Sequence, residues 1–124
     1  MHCTLRCKVS APSTEVLVDQ YRRSRIFLNT SLISPVPTSL LEAMSCGCAV
    51  VTTATCMIPE IIQNGVNGYM SNDPNELRSF VDKLRLNKEL AKEIGKNARQ
   101  TILDNFSIDK FVGNWKHLFN QCVR

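Results

Sequence analysis

Nowhere in the 124 residues does an apolar run approach the roughly 20 residues that carry a helix across a bilayer. The opening segment MHCTLRCKVS contains too short an apolar stretch for a secretory signal. The expected home is the cytoplasm, with any membrane association peripheral and at the cytoplasmic face. Aromatic residues are scarce, at 6%, and neither sign of charge is concentrated: the net charge is only +4. The densest basic cluster, YRRSR (21–25), has one tyrosine beside it and no aromatic spacing on which bases could stack, so it reads as a solvated helix end and no nucleic-acid partner is expected. Histidines number two, and neither His2 nor His117 completes a zinc spacing with the cysteines. No metal is therefore expected. Cys3, Cys7, Cys46, Cys48, Cys56 and Cys122 are even in number, but secretory context and a small loop-rich composition are both lacking. Reduced, mostly buried thiols are the expectation. Internal repeats, low-complexity tracts and linkers are missing too, and no acidic cluster precedes the first apolar strand, which excludes a phosphoacceptor receiver-like domain.

What is present is a 44% hydrophobic share, ordinary for one globular domain with a real core. Ser13 opens STEVLVDQYRRS (13–24), in which Val16, Leu17 and Tyr21 recur at helical spacing, with Glu15 early and arginines late, as a helix macrodipole favours. IFLN (26–29) fits a short buried strand, and a loop, TSLISPVP, leads from it to a helix over about 38–46. Gly47 is placed to end that helix in a left-handed turn, and the β-branched run CAVVTT (48–53) reads as a central parallel strand. Pro59, Ile61 and Ile62 suggest one or two helical turns ending at Asn64-Gly65, and NGYMS (67–71) a short third strand.

The remainder is helical. Asp73-Pro74-Asn75-Glu76 reads as a cap, a first-turn proline and a reciprocal glutamate, ahead of the stripe Leu77, Phe80, Val81 and Leu84. Leu90, Ile94, Ala98, Ile102 and Leu103 form a second stripe. Ser107 caps a last helix bearing Ile108, Phe111, Val112, Trp115, Leu118 and Phe119. This alternation predicts an α/β fold: a partial Rossmann-like, three-layer domain with about three parallel strands, flanking helices and a helical tail. So few strands leave an edge uncovered. Residues 2–9 (HCTLRCKV) could add a strand. Otherwise the edge is expected to self-associate or to await an upstream segment.

In open α/β sheets ligands bind beyond the carboxyl ends of the strands, where the loop after IFLN lies. That loop enters a helix N-terminus, whose unpaired N–H groups and positive dipole end suit phosphate. Thr38 and Ser39 add hydroxyls, and Glu42, one turn in, could accept hydrogen bonds from sugar hydroxyls. A diphosphate-ribose ligand would meet all three features. An equally concrete alternative is a Ser39-x-x-Glu42 capping box, in which each side chain satisfies the other's backbone N–H.

PTSLLEAMSCGCAVVTT, then IPEIIQNGVNGYM, NELRSFVDKL and ARQTILDNFS, in that order, resemble the C-terminal lobe of a GT-B retaining glycosyltransferase of the "glycosyl transferases group 1" family. The resemblance runs from about Val9 to the C-terminus and implies a single partial lobe over 1–124, without the N-terminal acceptor lobe. It implies a nucleotide-sugar partner (UDP-, GDP- or ADP-linked), no cofactor, and dependence on a missing N-terminal lobe or on a homodimer through the sheet edge. In the family two glutamates seven residues apart frame the loop. The second, a ribose contact, falls on Glu42, and the loop amides that hold the diphosphate and sugar fall on Val36, Pro37, Thr38 and Ser39, of which Pro37 has no N–H. The first glutamate falls on Ser34 and the glycine after it on Pro35, so no catalytic residue is assigned. A family G-x-P-E turn corresponds to Met57-Ile58-Pro59-Glu60, with Glu60 expected to be structural. The family's upstream basic residue for the diphosphate has no counterpart before Val9. Transfer needs donor and acceptor held in a closed cleft between two lobes, so the chain alone is expected not to transfer sugar. The competing expectation is a non-enzymatic α/β association module or gene fragment.

Overall fold

The structure, a computed structural model, describes residues 11–123. The chain runs α1 (Thr14–Arg23), β1 (Ile26–Asn29), α2 (Thr38–Ser45), β2 (Ala49–Thr52), α3 (Ile58–Ile61), β3 (Tyr69–Met70), α4 (Pro74–Leu86), α5 (Lys88–Asn105) and α6 (Ile108–Cys122). The strands form one parallel sheet in the order β1-β2-β3, with Asn29 opposite Thr52 and Thr52 opposite Met70. The α/β, three-layer, partial Rossmann-like architecture therefore stands. A strand at 2–9, His2, Cys3 and Cys7 lie outside the described residues.

Local chemistry sets the boundaries. Ser13, Asp73, Asn87 and Ser107 accept N-terminal amide hydrogen bonds in α1, α4, α5 and α6. Asn87 ends α4 and caps α5, so one residue joins the two. Gly47, at φ +81°, closes α2 as expected: its N–H reaches the Met44 carbonyl while that of Cys48 reaches Ala43, each 3.0 Å. This paired pattern satisfies two carbonyls that the helix end would leave bare. Several predicted spans shorten. The helix over 38–46 is Thr38–Ser45, and the strand over 48–53 is Ala49–Thr52. α3 is a single turn whose end comes at Ile62, ahead of Asn64-Gly65. NGYMS contributes only Tyr69–Met70, because Asn67 turns inward, its amide donating to the Ile61 carbonyl (2.9 Å) and to Thr101 Oγ1 (3.0 Å). Glu76 is not a reciprocal cap, since its carboxylate accepts from the Ser71 hydroxyl.

β2 is buried on both faces, as a central parallel strand should be. Val50 faces a cluster built from α1, α2, α3 and the C-terminal half of α5 (Tyr21, Leu40, Met44, Ile58, Ala98). Ala49 and Val51 face α4 and the N-terminal half of α5 (Leu77, Leu84, Ala91, Ile94). Each fully buried Leu, Ile or Met contributes about 1.5–3 kcal/mol relative to exposure. α5 passes from one face to the other beneath β2, where Gly95 lies against the Gly47 backbone. α6 has no buried residue, and its apolar stripe, Trp115 included, is exposed. Leu103 is exposed as well, outside the core assigned to it from its spacing.

Candidate functional site

The carboxyl ends of β1 and β2 are tied together by polar side chains. Asn29, 7% exposed, donates to Thr52 Oγ1 at 2.9 Å and accepts from the Ser31 amide at 3.3 Å. The Thr53 hydroxyl donates to the Ser31 carbonyl at 2.5 Å, and the Thr53 amide reaches the Asn29 carbonyl at 3.1 Å. These bonds fix the start of the loop 30–37, and the Met57 amide fixes its other end by donating to Pro35 O at 3.2 Å. Between the two anchors Leu32 and Ile33 are exposed at the loop tip.

The loop delivers the chain into α2 with Pro37 as its N-cap, a residue with no side-chain oxygen to offer. The Pro37 carbonyl accepts from Leu40 N (3.0 Å) and Leu41 N (3.4 Å), whereas the amides of Val36, Thr38 and Ser39 meet no acceptor among the described residues. The first turn carries no acidic side chain. Thr38 is exposed and Ser39 half-buried. The result is an open cluster of donors at the positive end of a helix dipole.

Glu42 does not close that end. Because the helix starts at Thr38, Ser39 lies inside it, and the Ser39–Glu42 capping box is not formed. Glu42 is exposed, and its Oε2 accepts from the Tyr21 hydroxyl at 3.1 Å. It lines a cleft of about 240 Å³ between α1 and α2, with Thr14, Leu17, Val18, Tyr21, Ser45 and Cys46. Tyr21 is 8% exposed and packs edge-on against Phe27. Its hydroxyl is pushed up to about 12, first by burial and then by the hydrogen bond to and charge of Glu42. The phenol thus stays a donor through neutral pH.

Val36 faces elsewhere, into a cavity of about 310 Å³ shared with Met57, Glu60, Ile61, Thr101, Asn105 and Phe106. The sequence-derived residues therefore fall on two sides of the α2 N-terminus: Val36 and Glu60 on one, Glu42 on the other, with Thr38 and Ser39 between. Half-buried Ser34 lies just upstream, followed by exposed Pro35. Glu60 makes no side-chain hydrogen bond or ion pair among the described residues.

Two features of this region were not legible in sequence. Tyr21 was only one member of a helical stripe, and nothing local marks it as a partner of Glu42. Cys56, near the Met57-Ile58-Pro59-Glu60 turn, adopts φ +51°, the left-handed region that glycine enters most cheaply, and is exposed. Cys122 is exposed too and Cys46 half-buried, so of the four cysteines among the described residues only Cys48 is buried, which for these four corrects the expectation of mostly buried thiols. The two exposed thiols sit in a turn and on an unpacked helix. Among the described residues no three His, Cys, Asp or Glu side chains gather as a metal set, and no helix is long and apolar enough to cross a membrane.

Residues 9–101 match the family model described as "Glycosyl transferases group 1". An uncharacterized glycosyltransferase, MJ1069, from Methanocaldococcus jannaschii is 37% identical over 87 residues, covering 68% of this chain and 22% of that protein. N-acetyl-alpha-D-glucosaminyl L-malate synthase from Bacillus anthracis is 31% identical over 87 residues, with 68% and 23% covered. Among solved structures, a mutant of S. aureus TarM in complex with fondaparinux, alpha-GlcNAc-glycerol and UDP superimposes with a TM-score of 0.75 at 25% identity, over 83% of this chain and 22% of that one. The chain thus spans under a quarter of the length of these relatives.

Proposed function

The chain belongs to the glycosyl transferases group 1 family, and from that premise we propose that the α2 N-terminus and Glu42 form the nucleotide end of a nucleotide-sugar donor site. The observation that carries this reading is the open donor cluster. The amides of Val36, Thr38 and Ser39 have no acceptor among the described residues and stand at the carboxyl edge of a parallel sheet, where a helix dipole favours a diphosphate. Glu42 lies one turn further along, within reach of the ribose that follows the diphosphate. The UDP bound by the TarM relative supports a nucleotide of this kind. Just ahead of that cluster Ser34 and Pro35 replace a carboxylate and a flexible glycine, so the sugar end of the site lacks the charge that transfer uses. The 124 residues assayed alone bind the donor without transferring its sugar, because one half of the cleft cannot exclude water from the reaction.

Calorimetric titration with UDP, GDP and ADP tests the reading. Binding should weaken about tenfold or more in Glu42→Ala, the loss of a charged hydrogen bond, while the melting temperature falls only by the few degrees that the lost Tyr21 hydrogen bond costs, because Glu42 caps nothing. Equal binding by both proteins sinks the ribose role, and sugar transfer by the isolated chain sinks the claim of dependence on a second lobe. A second reading, association without catalysis, draws on the side of β1 left unpaired among the described residues and the exposed stripe of α6. A concentration-independent monomer in sedimentation velocity would remove it.

A further inference from the structure

The cleft between α1 and α2 contains a contact that the nucleotide reading does not use. An exposed glutamate on a helix surface ordinarily samples several rotamers, and a carboxylate that must meet two vicinal hydroxyls loses affinity for each rotamer it has to abandon on binding. Here one oxygen of Glu42 is already held. Resting on the assignment of Glu42 to the ribose, we propose that Tyr21 is a positioning residue. Its hydroxyl, at the edge of the core and 3.1 Å from Glu42 Oε2, fixes the carboxylate in the one rotamer that turns Oε1 and the remaining lone pairs to the ribose hydroxyls.

Tyr21 is suited to this because its own position is over-determined. The ring is buried in the core cluster and set edge-on to Phe27 at 5.9 Å between centroids, and its carbonyl accepts from Ser24 N (3.0 Å) and Cys48 Sγ (3.2 Å). The hydroxyl is the part that leaves the core and meets Glu42 at the cleft. The hydroxyl donates, so the carboxylate must accept, and ribose hydroxyls are donors to the same group. A carboxylate can accept from both sides at once, since its two oxygens offer about four lone-pair sites.

The test compares each nucleoside diphosphate with its 2′-deoxy form (UDP with dUDP, and likewise GDP and ADP) on the native chain, Tyr21→Phe and Glu42→Gln. The phenylalanine keeps the ring and its core contacts, so circular dichroism and melting should be close to native. In the native chain the deoxy form should bind more weakly. Tyr21→Phe should weaken the ribonucleotide about three- to tenfold, the range of one ordinary hydrogen bond, and the 2′-deoxy form, which keeps only the 3′-hydroxyl, by less, so that the ribo/deoxy ratio falls. Glu42→Gln should lower the ratio as well, and adding Tyr21→Phe to it should lower it no further, since the phenol acts only through the carboxylate; should Tyr21→Phe melt early, the titrations are run well below its melting temperature. A native ratio retained in Tyr21→Phe overturns the positioning role while leaving the Glu42 assignment intact. A ratio of one already in the native chain, or no binding of any of the three nucleotides, overturns the assignment and this inference with it.

Discussion

Replacing Gly95 by alanine tests the central packing of the fold. A Cβ built at Gly95 would meet Gly47 O at 2.0 Å, Gly47 C at 3.0 Å and Ala49 N at 3.4 Å, all of them backbone atoms. Carbon–oxygen contacts close no nearer than about 3.3 Å, so α5 would have to retreat by on the order of 1 Å. No rotamer change can absorb this, and retreat would also loosen the fully packed Ala91, Ile94 and Ala98. Overpacking of this kind costs up to about 3 kcal/mol, against roughly 1 kcal/mol gained by alanine over glycine in a helix interior. The net loss is about 2 kcal/mol, a fall in melting temperature of roughly 6–10 °C for a domain of this size. Gly113→Ala in α6 is the control, because its Cβ meets nothing within 4 Å. There the propensity term acts alone, and far-UV circular dichroism should show equal or greater helicity. Thermal melts of both variants decide the matter by sign. A Gly95→Ala protein as stable as the native one would mean that α5 does not cross against the turn at Gly47.

Alkaylation at neutral pH, mapped by mass spectrometry, should modify exposed Cys56 and Cys122 quickly and Cys48 only on unfolding, since burial pushes its thiol up to about 11. Melting temperature should stay flat to about pH 9 and then fall. The raised groups, Cys48 from 9.0 to about 11 and Tyr21 from 10.0 to about 12, are protonated in both states below their unfolded values, and above them only the native state retains the proton. Tyr21→Phe should flatten the upper part of that decline, and an unchanged profile would count against the burial of the phenol. Asn67→Ala should cost about 1–3 kcal/mol in denaturant melts, because it strips the Gln63 amide and the Ile61 carbonyl of their partner in a half-buried turn.

The elements most legible in sequence were those whose signals are local. Ser13, Asp73 and Ser107 announce helix starts because a short side-chain oxygen satisfies an amide two or three residues on. Gly47 announces a stop because its φ suits almost no other residue. The alternation of helix with strand carried the three-layer sheet, and the linked motifs carried the family. Other features were decided by contacts at long range. Ser39-x-x-Glu42 satisfies every local rule for a capping box, yet Pro37 shifts the helix start by two residues, and a tyrosine 21 positions away takes the carboxylate. Glu76 was diverted in the same way by Ser71. The crossing of α5 beneath β2 depends on two glycines 48 residues apart, and no periodicity within either helix records it. The exposure of Cys56 follows from a turn geometry that its residue type does not favour.

The side of the sheet occupied by α1 decides where further strands can join. α2 and α3 carry the chain from β1 to β2 and from β2 to β3 over one face, and α1 packs on that same face. Crossovers between parallel strands are right-handed, so helices on a common face advance the sheet in a common direction. A parallel strand entering through α1 must then lie on the side of β1 away from β2, which is unpaired among the described residues, and not beyond β3. Half-exposed Leu28 stands on that side, at the mouth of an apolar groove of about 270 Å³ walled by Leu77 and Val81 of α4. One strand added there would pair backbone groups of β1 that have no partner among the described residues and roof this groove at the same time, so the edge that α1 feeds is already shaped to receive side chains.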